Sequence, residues 1–394
     1  MNNKLFADRM GITDKSFIRE ILKVTENPNI ISFAGGLPNP AFFPVEQIAE
    51  AAAKIFKIDG ENALQYSSTE GYLPLRKYIA KRYLKRNGLI LDPDQILITN
   101  GSQQGLDLIG KTFLNKRDKV VIESPGYLGA IQAFSLYEPI FYPVSLLDDG
   151  IDIDMLKKTI EDEQIKLIYT VPTFQNPSGI TYSKQKRKDF ANIVGKQDVI
   201  YVEDNPYYDL RFAGEDLPLI RNFLEDNSIL LGSFSKIVSP GLRLGWICTN
   251  KEIMEKIIIA KQASDLHSNY LAQRIVYQYL IDNDIDEHLI KIREAYRIRR
   301  DLMVSMISEH FPEEIEFTKP EGGMFLWITL PEKISALDLF EHAIKENVAF
   351  VPGNPFYVNG GGNNTLRLNF SNSDEEQIEV GIKKLANIIT KFFP

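Results

Sequence analysis

The stretch "LLGSFSKIVSPGLRLGW", residues 230–246, runs from an apolar segment into small residues that hold one lysine, Lys236, with an arginine, Arg243, seven positions on. Lysines ordinarily occupy solvated helix faces. This one follows what reads as a buried strand, "SILLGS" (228–233), where a loop begins. Partial desolvation there would disfavour the charged amine and make Lys236 a candidate nucleophile. The plain alternative is a surface charge beside serines. The ends of the neighbouring strands decide between the two.

Outward from this segment, short apolar runs alternate with helix-like stretches. The strands expected are 96–99 ("ILIT"), 119–124, 139–144, 166–171, 199–204, 228–233 and 242–249. Helical patterns lie at 103–115, 126–137, 153–164 and 183–196. Nearly continuous apolar strands alternating with helices predict an α/β fold, a mostly parallel sheet covered by helices on both faces. This large domain is expected over 46–280. A long polar helical run at 282–311 follows, then strands at 322–330, 348–353 and 365–371 with helices at 335–347 and 374–392. That change of pattern predicts a smaller α+β domain over 281–394. Residues 1–45 read as one helix, 14–25, and an extended loop around Gly35-Gly36, joining the small domain.

Composition narrows the function classes. The chain has 394 residues, 44% hydrophobic and 25% charged, with a net charge of −8. The acidic balance and the lack of like-charge blocks argue against nucleic acid or an anionic membrane surface as partner. No run approaches the roughly 18 apolar residues of a spanning helix, and the first ten residues have no secretory apolar core. With a single cysteine, Cys248, no internal disulfide or cysteine metal site can form. The four histidines, His267, His288, His310 and His342, have no ligand spacing. A cytoplasmic protein without a metal centre is the expectation.

Five motifs fall at or near expected strand ends, where open α/β sheets bind ligands. "TNGSQQGLDL" places Ser102 and Gln103 at a helix start, whose free N–H groups suit a phosphate. "QNPSGI" places Asn176 in a turn after a buried strand. "VIYVEDNPYYDL" ends a strand on Asp204, with Tyr207 three residues on. A carboxylate there costs folding free energy unless it is paired, and a protonated ring nitrogen would pair it. The opening stretch adds Ser233, Ser235, Lys236 and Arg243. "NTLRLNFS" sets Arg367 between two leucines, pointing away from both, as a carboxylate clamp would require. Each motif has an ordinary reading as a cap, turn or surface charge. The two tryptophans, Trp246 and Trp327, read as core.

Together and in this order, the motifs resemble the fold type I, pyridoxal-phosphate-dependent aminotransferases (class I/II). The resemblance covers essentially the whole chain. "SFAGGLP", "LQYSSTEGYLPLR", "GAIQAF", "QNPSGI", "GSFSK" and "NVAFVPG" are similar to the subgroup of 2-aminoadipate and kynurenine/aminoadipate aminotransferases. The resemblance implies that Lys236 binds the cofactor covalently as an internal aldimine and that Asp204 pairs with its ring nitrogen. Asn176 and Tyr207 would hold its phenolic oxygen, and Tyr127 would stack on the ring. Ser102, Gln103, Ser233, Ser235 and Arg243 would form the phosphate cup. Tyr72 would reach the phosphate of the neighbouring subunit of a homodimer and border its substrate site. Arg367, Asn176 and the Gly36 backbone would take the substrate α-carboxylate, and Arg19 a distal carboxylate. The implied activity is ping-pong transfer of an amino group between an L-amino acid (2-aminoadipate, aromatic, leucine-like or kynurenine) and a 2-oxo acid such as 2-oxoglutarate. The same fold also hosts lyases, other Cα chemistry and regulatory proteins. One local departure is Asn205-Pro206, where the subgroup often carries an acidic residue and alanine.

Overall fold

The computed structural model describes residues 5–11, 21, 27–224 and 227–392. Arg19 and, apart from Ile21, the expected helix 14–25 lie outside the described residues. Three sheets organise the rest. The largest has eight strands: β2 (Ile96–Thr99), β3 (Lys119–Ser124), β4 (Ile140–Leu147), β5 (Gly150–Ile151), β6 (Ile165–Thr170), β7 (Ile200–Asp204), β8 (Ser228–Ser233) and β9 (Gly245–Cys248). They are ordered β2-β9-β8-β7-β6-β3-β4-β5. Neighbours from β8 to β4 pair in parallel. β9 runs antiparallel to both β2 and β8, so β2 points the same way as the parallel set. Strands β7 and β8 are buried along nearly their whole length, as a sheet covered on both faces demands.

A four-stranded antiparallel sheet follows in the chain. It contains β10 (Glu316–Phe317), β11 (Phe325–Thr329), β13 (Val351–Pro352) and β14 (Thr365–Asn369), in the order β10-β11-β14-β13. β1 (Ile31–Ser32) pairs in parallel with β12 (Val348–Ala349), so the chain's early residues are tied to this later sheet. Among the described residues, no helix is long and apolar enough to cross a membrane.

Several boundaries differ from the sequence expectation. The strand expected at 242–249 begins only at Gly245, because Arg243 takes a φ of 52° and its N–H bonds to the Pro240 carbonyl in a turn. The helix expected at 103–115 starts at Gly101, so Ser102 lies in its first turn. The strand expected at 348–353 is two short pieces in two different sheets. Helices Val45–Ala63, Leu73–Asn87, Lys251–Asp265 and Tyr270–Asp282 were not anticipated. Trp246 and Trp327 are buried, on β9 and β11.

Candidate active site

The topology gathers the motifs at the carboxyl ends of the parallel strands. Strand order reverses between β3 and β6, the crevice where such sheets bind ligands. A cavity of about 500 Å³ opens there. Among its lining residues are Gly36, Ser102, Gln103, Tyr127, Asn176, Asp204, Tyr207, Ser233, Ser235, Lys236, Arg243 and Arg367. These include every sequence-derived site residue except Tyr72 and Arg19.

Lys236 reaches the cavity because 234–244 is a closed loop between β8 and β9. Phe234 donates its N–H to the Leu244 carbonyl, and Ser233 is in register with Gly245. That closure sets Lys236 and Arg243 on the same side of the sheet. Lys236 Nζ donates to the Gly36 carbonyl at 2.8 Å. Burial, reinforced by the guanidinium charges of Arg367 and Arg243, lowers its amine from 10.5 to about 8.

Asp204 ends β7 and is 1% exposed. Its Oδ2 accepts from the Tyr169 hydroxyl at 2.7 Å, while Oδ1 is buried and has no partner. Burial raises the carboxyl from 3.8 to about 7, against the opposing effect of bonds from Tyr169 and the Asn205 N–H. A buried acceptor left unpaired is costly, and it marks a place where a donor belongs.

Opposite stands Arg367, on β14 and 2% exposed. Its Nη1 donates to Asn176 Oδ1 at 2.8 Å and its Nη2 to the Ala34 carbonyl at 2.7 Å, while Nε is buried without a partner. The guanidinium carbon lies 4.3 Å from the Phe325 ring centroid. Burial lowers its pKa from 12.5 to about 10. Asn176 also donates Nδ2 to the Tyr207 hydroxyl at 3.4 Å. Burial raises the Tyr127 phenol to about 12 and that of Tyr207 further still.

At the third corner, β2 ends in Asn100 and Gly101 opens the helix Gly101–Phe113. Gly101 has a φ of +73°, and a Cβ there would sit 2.7 Å from Arg243 Nη2. A Cβ on Gly245 would lie 2.7 Å from the Ser102 nitrogen. The turn, the guanidinium and β9 are therefore packed against one another, and Gly101, Ser102 and Gln103 at the helix start line the cavity together with Ser233 and Ser235.

Tyr72 does not line the cavity. It precedes helix Leu73–Asn87 and packs edge-on against Tyr270 and Tyr277, with Arg274 over its ring at 5.3 Å. Sequence reasoning missed Leu37, Gln132, Val171, Pro206 and Pro240 on the cavity wall, and Tyr169 behind Asp204. Tyr169 sits in a buried strand, and only the packing shows where its hydroxyl ends.

The family model for class I and II aminotransferases matches residues 29–385. The chain is 42% identical to aromatic-amino-acid aminotransferase 1 of Thermococcus litoralis, over 98% of this chain and 94% of that protein. It is 43% identical to 2-aminoadipate transaminase of Thermus thermophilus, over 98% of this chain and 97% of that protein. Its structure matches that of kynurenine aminotransferase from Pyrococcus horikoshii, solved in complex with PMP, with a TM-score of 0.95 and 42% identity, over 100% of this chain and 98% of that one. The chain thus belongs to the class I and II aminotransferase family, and it is a pyridoxal-phosphate-dependent aminotransferase of fold type I.

Proposed function

We propose that the cavity at the carboxyl ends of the large sheet is the site of transamination, with Lys236, Asp204, Asn176 and Tyr207 as its catalytic residues. One observation carries this reading: a lone buried carboxylate oxygen, an amine lowered to about 8 and a buried arginine share one cavity. Pyridoxal phosphate fits that set. The unpartnered Asp204 Oδ1 calls for a ring N–H, and the Gly101 turn with Arg243 is a cradle for a phosphate.

When bound, the cofactor supplies an electron sink and carries the amino group. Asp204 would hold its ring nitrogen, Asn176 and Tyr207 its phenolic oxygen, and Tyr127 its ring face. Ser102, Gln103, Ser233, Ser235 and Arg243 would hold its phosphate. Arg367, whose Nε is unpartnered, would receive the substrate α-carboxylate while Asn176 and the Ala34 carbonyl hold its Nη groups in place. The Gly36 backbone completes that subsite. Lys236 Nζ then removes the substrate Cα proton as a general base, an assignment suited to an amine that is partly neutral near pH 8.

The amino donors proposed are L-amino acids of the 2-aminoadipate, aromatic or kynurenine type, after the relatives' names, or of leucine-like type, with 2-oxoglutarate proposed as acceptor in a ping-pong sequence. Arg19 would meet a distal carboxylate. The active form is a homodimer in which Tyr72 reaches the partner's cofactor phosphate. This is supported by its place outside its own cavity and by the exposed Leu64 and Tyr66 nearby in sequence. The division at 45/46 and 280/281 is proposed on the separate sheets. The test is a half-reaction: enzyme, one amino acid and no acceptor. One equivalent of 2-oxo acid per subunit supports the reading. Continuous release of pyruvate or an amine contradicts it.

A further inference from the structure

Behind the phosphate turn lies a polar cluster that contacts neither the cavity nor the other site residues except through Asn100. Lys261, on helix Lys251–Asp265, has a fully buried side chain. It pairs with Asp265 Oδ1 at 2.5 Å. The other carboxylate oxygen, Oδ2, accepts from Asn100 Nδ2 at 2.8 Å and from Gln104 Nε2 at 2.7 Å. Gln104 Oε1 in turn accepts the Asn100 N–H at 2.9 Å. The single carboxylate of Asp265 thus grips both the residue before the turn and the first turn of the helix.

The backbone beyond Asp265 is strained to deliver this grip. Leu266 adopts φ 64°, ψ −60°, and the His267 N–H bonds to the Asp265 carbonyl at 2.7 Å. That is the γ-turn of positive φ, a rare and strained conformation that persists only where surroundings impose it. Two residues on, Ser268 Oγ donates to the Ile98 carbonyl in β2 at 3.1 Å. Segment 265–268 therefore holds the strand entering the turn as well as the helix leaving it.

We infer that Asp265, supported by Lys261 and acting through Asn100 and Gln104, is a positioning residue that presets the Gly101 turn for the cofactor phosphate. This rests on the phosphate-cup reading above. Free N–H groups at a helix start bind a phosphate well only when they are already aimed, since ordering them on binding would cost affinity.

The inference separates the phosphate from the rest of the cofactor, and so does its test. Apoprotein would be titrated with pyridoxal phosphate and with pyridoxal, which lacks the phosphate. Asp265→Ala weakens pyridoxal phosphate by about tenfold or more, the scale of one lost charge-assisted bond, and leaves pyridoxal within about twofold. Because removing Asp265 strands the buried Lys261 ammonium, the double variant Asp265→Leu with Lys261→Met is measured as well. It shows the same selective loss. Equal weakening of both ligands in the double variant, or unchanged pyridoxal phosphate binding, overturns the inference. Arg243→Ala serves as the reference. A selective loss there, with none at Asp265, leaves the phosphate cup standing and refutes only the positioning role. No selective loss at Arg243 refutes the cup itself.

Discussion

At the scale of single residues, the site is built from groups whose ordinary ionisation has been displaced by burial. Asp204 is the plainest case. Its carboxyl is raised from 3.8 to about 7, so between about pH 4 and 7 the folded apoprotein holds a proton that the unfolded chain has lost. Asp204 therefore opposes folding progressively as pH rises through that window, and fully above it. The Asp204→Asn apoprotein should be more stable than wild type at pH 8, by up to about 4 kcal/mol. The advantage should vanish below about pH 4. Urea melts at the two pH values check this, and a variant less stable at pH 8 contradicts it. With cofactor bound the order reverses, because the variant loses its charged partner for the ring nitrogen. Arg19→Ala should raise KM for 2-aminoadipate and glutamate about tenfold or more while leaving phenylalanine nearly unchanged. Equal losses on both substrates would remove Arg19 from the distal carboxylate.

At the scale of elements, the phosphate turn depends on backbones meeting without side chains between them. The site above Gly245 is filled by the Gly101 carbonyl carbon and the Ser102 nitrogen. Gly245→Ala should thus displace the turn and weaken pyridoxal phosphate more than pyridoxal. Its cost in stability should be about 1–3 kcal/mol, as for other overpacked sites. Equilibrium titration and melts of the same samples measure both effects.

The sequence pattern carried much of this arrangement. Apolar runs ending in Asp204, Ser233 or the Asn100-Gly101 pair announced strands with chemistry at their carboxyl ends, because buried strands and polar turn residues leave a local signature. Helices such as Lys251–Asp265 and Tyr270–Asp282 did not stand out. Their buried sides include Lys261, Gln273 and Arg274, polar residues that interrupt the apolar periodicity; Arg274 meets Asp59 and Gln273 accepts the Tyr72 N–H, partners far away in the chain. The same cause hid Tyr169 and Gln104, whose partners lie on other elements. The roles of the cavity residues came from the resemblance, and the structure adds that twelve of them meet in one place.

At the scale of the molecule, one chain leaves Tyr72 stranded from its own cavity. On the proposed reading the active form is a homodimer of 44.9 kDa chains, and Tyr72→Phe should weaken pyridoxal phosphate several-fold without dissociating the pair. Light scattering and cofactor titration test this together; a fully active monomer contradicts it. A decisive measurement falls on Lys236 itself. Holoenzyme would be reduced with borohydride, digested and mapped by mass spectrometry. A pyridoxyl adduct is expected on Lys236 and on no other lysine. An adduct elsewhere, or none in a protein saturated with cofactor, would return Lys236 to the status of an ordinary charge.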